Sequence, residues 1–260
     1  MRFMTGPPLR LTNLKKMRDR IGTRERWCCP AVAALLLGCA AAAQAADFGG
    51  FIALTSDYVY RGASQTSHDP ALQADVHYYS ARGWLAGLWG TSVRPDPGKV
   101  TDVELDPYLG YTRALGDEWS TRLAAVYHAY LGSNPGSRYR YSELAGTLAY
   151  HSQVFFTVAV SPDTEVQTVD NSAVRRAAAS GDLSWHGSLG HALSANIGVG
   201  YYRLQRPFSS GYGYGSAGLG YEWGRMHLDL SLIGVSGAAH DFFYYREASN
   251  RLVGTVLWQF

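Results

Sequence analysis

The sequence predicts a transmembrane antiparallel up-and-down β-barrel of about 12 strands, with short turns at one end and long loops at the other. Three observations carry this reading. Residues after position 46 alternate apolar and polar side chains with period two in one segment after another. The connectors between these segments alternate short and long. Aromatic residues gather at strand ends, and the last residue is Phe260.

The segments follow in order. Ile52–Arg61 places Ile52, Leu54, Tyr58 and Tyr60 on one face and Asp57 and Arg61 on the other. Leu72–Tyr79 sets Leu72, Ala74 and Val76 against Gln73, Asp75 and His77. Val103–Tyr111 sets Val103, Leu105, Pro107 and Leu109 against Glu104, Asp106 and Tyr108. Trp119–Tyr130 sets Trp119, Leu123 and Tyr127 against Arg122, Ala124 and His128. Leu144, Leu148 and Tyr150 oppose Glu143, and Val154, Phe156, Val158 and Val160 share a face. Leu193, Ile197, Val199 and Tyr201 oppose Ser194 and Asn196; Leu228, Leu230 and Leu232 oppose His227 and Asp229. The final segment sets Leu252, Val256, Trp258 and Phe260 against Arg251, Thr255 and Gln259. Trp84–Val93, Ala178–His186 and Gly213–Trp223 alternate more weakly. At roughly 9–11 residues apiece such strands are long enough to cross a bilayer.

Short connectors are expected at Ala81–Gly83, Gly116–Glu118, Ser152–Gln153, Gly187–His191 and Gly224–Arg225. Long ones are expected at Ala63–Pro70, Arg94–Thr101, Leu131–Tyr141, Ser161–Ala177, Arg203–Gly211 and Ser236–Glu247. Outer-membrane barrels alternate periplasmic turns and extracellular loops in this way, whereas a soluble sandwich has no reason to. Tyr111, Tyr127, Tyr150, Tyr201, Tyr221 and Trp223 lie where interfacial girdles belong, because an amphipathic ring is stabilised at headgroup depth. A terminal strand closing on Phe260, with Trp258 on the same face, fits a signal for the outer-membrane assembly machinery.

The 260 residues divide by charge. Eight of the 23 Lys and Arg lie within residues 1–45, with only Asp19 and Glu25 against them. Ala31–Gly38 and the alanines that follow complete the layout of a secretory signal, with Ala43-Gln44-Ala45 as its cleavage pattern. Residues 1–45 are therefore read as a signal peptide and 46–260 as the barrel. The basic region is long for a signal, which makes Met17 an alternative initiator to Met1. A membrane anchor is disfavoured by a stretch shorter than a span requires. Leu36-Leu37-Gly38-Cys39 resembles a lipobox, which makes lipidation of Cys39 an alternative. All three cysteines lie in the leader, so the remainder offers neither a disulfide nor a thiolate metal site. Its net charge of −4 offers no basic surface for nucleic acid.

Motifs for chemistry are weak. Gly213-Tyr-Gly215-Ser-Ala-Gly218 matches a dinucleotide fingerprint in letters only, because Leu219–Trp223 continues as strand. No cofactor is expected, and the glycines are read as easing aromatic packing on a curved wall. No H-E-x-x-H occurs. His77, His128, His186 and His227 on polar faces are read as wall residues bonded to neighbours, with a metal or proton site as the alternative. There is no G-x-S-x-G, and Thr91, Ser92 and Ser231 are ordinary strand residues, so an enzyme is not expected.

The polar faces supply the candidate lumen lining: Asp57, Arg61, Asp75, His77, Glu104, Asp106, Arg122, His128, Glu143, Asp182, Glu222, Asp229 and Arg251. Eight acids against three arginines predict a modest cation preference that fades in high salt. Asp57 and Arg61 would lie about 13 Å apart on one strand, too far for a direct ion pair. Loop residues Arg138, Arg140, Arg175 and Arg176 oppose the acids at the outer mouth. Tyr58, Leu109, Leu148, Leu228 and Trp258 are expected to face lipid.

A resemblance adds to this. Ala53–Gly62, Ser64-Gln65-Thr66, Asp69–Gln73, Gly83–Gly90, Glu104-Leu105-Asp106 and Pro107–Tyr111 resemble the opening of a proteobacterial porin family catalogued as TorF or Gcw_chp. The resemblance is sharpest over residues 50–112. It implies an outer-membrane barrel with a porin-like role, in contact with outer-membrane lipid, lipopolysaccharide and small solutes, and it supplies no binding or catalytic residues. Passive diffusion of small solutes through a narrow, acid-lined barrel is the leading expectation. A non-conducting structural or adhesive barrel that binds a partner through its loops is the second, and a barrel enzyme the third.

Overall fold

The computed structural model describes residues 47–94, 102–131, 140–167, 173–204, 211–243 and 247–260. The expected leader, Cys39 and Arg138 lie outside them. Fourteen strands are described: β1 (Asp47–Thr55), β2 (Val59–Tyr60), β3 (Ala63–Ser64), β4 (Ala71–Tyr79), β5 (Trp84–Val93), β6 (Asp102–Leu115), β7 (Trp119–Leu131), β8 (Arg140–Tyr150), β9 (Val154–Gln167), β10 (Ala173–Gly190), β11 (Leu193–Leu204), β12 (Gly211–Trp223), β13 (Met226–Val235) and β14 (Arg251–Gln259). Twelve of them, β1 and β4 to β14, close an antiparallel barrel in sequence order, and β2 pairs with β3 separately. Closure comes from β1, which pairs with β14 from Phe51–Gln259 to Thr55–Thr255 and with β4 from Asp47–Tyr79 to Thr55–Ala71.

The two faces follow the period-two pattern. Leu54, Leu72, Val76, Leu109, Leu123, Leu148, Ile197, Leu228, Leu232 and Trp258 are exposed on the outside, an apolar surface that lipid covers. No helix among the described residues is long and apolar enough to cross a membrane; this chain crosses with strands. Aromatic pairs mark the short-turn end of the wall. Trp84 and Tyr111 are register partners with centroids 5.1 Å apart, and Trp119 and Tyr150 are partners at 4.7 Å. Trp258 lies 5.3 Å from Phe260, whose backbone exchanges hydrogen bonds with Gly50. Such cross-strand pairs add to the area they bury and sit at the interfacial level.

Turns at this end are tight because their residues accept positive φ: Gly83 at 91°, Gly116 at 85° and Gly224 at 61°. The turn expected at Gly187–His191 is shorter, since β10 continues to Gly190 and only His191 and Ala192 turn the chain. The loop expected at Ser161–Ala177 is likewise mostly strand, because β9 runs to Gln167 and β10 starts at Ala173.

The largest departure is at the start. The strand expected over Ile52–Arg61 ends at Thr55, and the chain then folds into the barrel. Tyr58, expected to face lipid, is 3% exposed, with its ring 5.4 Å from that of Trp89. Tyr60 is also turned inward, with its hydroxyl 3.4 Å from Glu143 Oε2. The alternation of residues 52–60 reads as one strand, but ladder partners exist only as far as Thr55. The side chains beyond are held by contacts that local pattern does not encode.

Candidate functional site in the barrel lumen

The inward segment, residues 56–70, forms a small hairpin. Strands β2 and β3 are joined by Arg61 at φ 48° and Gly62 at φ 81°, a two-residue turn of the I′ kind. Gly62 fits because a Cβ there would lie 2.4 Å from Val235 Cγ1 and 2.8 Å from Tyr214 Cβ. The tip thus reaches the wall formed by β12 and β13. Val59 packs with Ile233 and Val253 on the same side.

Asp57 fixes the hairpin's base. Its Oδ1 accepts hydrogen bonds from Ser64 Oγ at 2.6 Å and Thr66 Oγ1 at 2.8 Å. Its Oδ2 pairs with Arg251 Nη1 at 3.0 Å, and His68 Nδ1 lies 3.4 Å away. Gln65 receives the backbone N–H of Arg94, whose guanidinium pairs with Asp69. The segment is therefore tied to β14 and to the end of β5.

Arg61 crosses the lumen. Its Nη2 donates to Glu143 Oε2 on β8 at 2.7 Å, and its guanidinium lies 4.6 Å from the ring centre of Tyr60 and 5.0 Å from that of Tyr202. Close by, Tyr214 donates to Asp182 Oδ1 at 2.5 Å. Gly200 makes this bond possible, because a Cβ there would lie 2.5 Å from both the Tyr214 ring and Asp182 Oδ1.

A cavity of about 260 Å³ adjoins the hairpin tip. Tyr60, Arg61 and Gly62 line it on one side, and Glu143 and Asp182 join them. Its walls are small residues of neighbouring strands, among them Ala124, Ala145, Thr147, Thr157, Ala159 and Ser184; Arg122, Phe155, His186 and Ser152 also line it. Its charged lining is two arginines and two carboxylates, beside His186.

Asp75, Asp229, Glu104 and Asp106 are bonded within the wall. Asp75 lies 2.5 Å from His77 Nδ1 and accepts from Tyr108 Oη at 2.8 Å. Asp229 accepts from Asn196 at 3.1 Å and Ser231 at 2.6 Å. Glu104, Asp106 and His128 are 0% exposed, and His128 Nδ1 lies 2.8 Å from Asp106 and 3.8 Å from Glu104. The His128 ring stacks 4.3 Å from Tyr141. Pro107 has no N–H, and the β6–β7 ladder lapses at Asp106 and Pro107, where Asp106 and His128 meet through their side chains instead. Arg122 donates to Thr112 Oγ1 at 3.3 Å and Tyr79 Oη at 3.4 Å. Glu222 stands near the short-turn end as the register partner of His227. Its backbone N–H donates to Ala192 O.

The structure thus joins Asp57 with Arg251, Arg61 with Glu143, Asp75 with His77, and Glu104 and Asp106 with His128. Asp57 and Arg61 thus pair with different residues, and they lie in one loop, not on the single strand expected. The sequence gives no structural role to Ser64, Thr66 or Tyr214. The Ser-Gln-Thr run was visible, but nothing local shows that it caps a carboxylate. The Gly213–Gly218 motif lies within β12: Gly213 and Gly215 face outward beside inward Tyr212 and Tyr214, and Gly218 faces inward, where a Cβ would lie 2.2 Å from Ser231 Oγ.

A family described as "Bacterial protein of unknown function (Gcw_chp)" matches residues 39–244. No curated protein matches the chain. Among solved structures, the NanC porin superposes with a TM-score of 0.54 at 12% identity, over 81% of this chain and 98% of that one. The KdgM porin gives 0.50 at 8% identity, over 82% and 99%. A chain from work on in-meso crystallization of membrane proteins gives 0.52 at 11%, over 82% and 83%. At these identities the likeness is one of fold.

Proposed function

Given that this chain belongs to the Gcw_chp family and is an outer-membrane, porin-like β-barrel, we propose that it is a narrow channel for passive diffusion of small solutes. The observation that carries this reading is the cavity of about 260 Å³ inside a closed barrel, lined by hydroxyl-bearing and charged side chains beside an inward hairpin. A barrel that serves only as a scaffold has no need to keep such a space, since bulky side chains fill small barrels readily.

Two arginines against two carboxylates temper the acid excess of the sequence. Asp57 is bonded at the base of the hairpin, and Asp75, Glu104, Asp106 and Asp229 are bonded within the wall. The resulting cation preference is slight and fades as salt rises. Residues 1–45 serve as the export leader, Phe260 presents the terminal strand to the assembly machinery, and lipopolysaccharide contacts the loop end.

Single-channel recording in planar bilayers tests the channel. Discrete, low-conductance openings with a permeability ratio near one are expected. Silence from protein shown to be folded by heat-modifiable mobility would leave the loop-mediated adhesive barrel in its place.

A further inference from the structure

We propose that the Arg61–Glu143 pair is the ion-selectivity filter of this channel, carried into the lumen by the hairpin of residues 56–70. This rests on the channel reading above and assigns its selectivity to two residues.

Four observations converge. Arg61 stands at a hairpin tip held by other residues: Asp57 is bonded to Ser64, Thr66 and Arg251 at the base, and Gly62 is wedged against Val235 and Tyr214. The guanidinium is therefore placed in the lumen by a rigid arm, not by a flexible side chain on the wall. Its partner Glu143 comes from the opposite wall at 2.7 Å, with side chains 11% and 8% exposed. Both residues line the cavity, so a solute occupying it meets them. Finally, Tyr60 and Tyr202 flank the guanidinium at 4.6 and 5.0 Å, replacing water with ring faces and raising the local strength of any unbalanced charge.

A self-neutralising pair at a narrow point lets ions of both signs pass. Removing one member exposes the field of the other at short range, where salt screens it least. The two deletions must then act with opposite sign, a signature that a general loosening of the hairpin does not produce.

Two substitutions keep the hairpin. Arg61→Asn removes the charge and leaves Asn-Gly, the pair that a two-residue I′ turn prefers. Glu143→Gln keeps an acceptor for Arg61 and Tyr60. The charge exchange Arg61→Glu with Glu143→Arg rebuilds the pair in reverse. Purified full-length proteins, checked for heat-modifiable mobility, are recorded in planar bilayers across a potassium chloride gradient. Arg61→Asn is expected to raise the potassium-to-chloride permeability ratio about threefold or more, and Glu143→Gln to lower it by a similar factor. The exchanged pair is expected to return the ratio towards that of the unaltered protein. Equal ratios in both single variants, or shifts of the same sign, overturn the filter while leaving the channel reading intact. An unaltered protein that carries no current overturns the channel reading and the filter with it. If one single variant does not fold, the other and the exchanged pair still give opposite predictions, a shifted ratio against a restored one.

Discussion

Asp57 shows how much of the interior hangs on single side chains. It binds two hydroxyls of its own loop and the guanidinium of a strand 194 residues away. Asp57→Ala leaves Arg251 buried without that carboxylate, a loss of about 3–5 kcal/mol by comparison with other broken buried pairs. The thermal midpoint should fall, and conductance should rise as the hairpin loosens. An unchanged midpoint would show that the backbone bonds from Arg94 N–H to Gln65 O and from Ser64 N–H to Glu247 O suffice. On the outer face the physics reverses. Leu148 and Leu228 are exposed to lipid, so arginine at either position costs roughly 2–4 kcal/mol near the midplane. Leu148→Arg and Leu228→Arg should lower the heat-modifiable fraction recovered on refolding into vesicles. Asp75→Asn keeps an acceptor for Tyr108 and should not. Full recovery of both arginine variants would put the register in error.

At the scale of the element, the short turns are set by backbone chemistry. The turn between β10 and β11 uses His191 at φ 50° and Ala192 at φ 68°. Non-glycine residues in the left-handed region carry a cost of roughly 1–2 kcal/mol each. His191→Asn with Ala192→Gly supplies the preferred residues for this turn and should stabilise the barrel by about 1 kcal/mol or more. Denaturant titration in detergent checks it; a lower midpoint would show that the two side chains make contacts outweighing the backbone strain. β6 shows a different compensation. Pro107 removes an N–H from the ladder, and the neighbouring Asp106–His128 bond joins the two strands where the ladder lapses.

For the whole molecule, closure depends on β1 meeting β14 along five register pairs, Phe51–Gln259 to Thr55–Thr255. Phe260 extends this seam through its backbone bonds with Gly50, and its ring fits because Gly50 has no Cβ. Deleting Phe260 should leave a barrel that folds in detergent but reaches the outer membrane in smaller amount. Membrane fractionation and heat-modifiable mobility separate the two effects. Equal membrane yields would remove the proposed role of Phe260 in assembly.

The sequence by itself determined strand number, inward and outward faces, and most of the short turns. These are local: alternation fixes which side of Leu148 or Leu228 meets lipid, and Gly83, Gly116 and Gly224 bend the chain with their own backbones. It could not place residues 56–70, because the alternation of Ile52–Tyr60 suits a continuing strand as well as a chain turning inward. Only the tertiary structure decided between them. The segment's anchors, Trp89, Glu143, Tyr214 and Arg251, are far away in the chain and meet it only once the barrel has closed. The charge of the cavity follows from the same cause: eight acids can be counted from letters, but which of them a partner neutralises depends on which strand lies across the lumen.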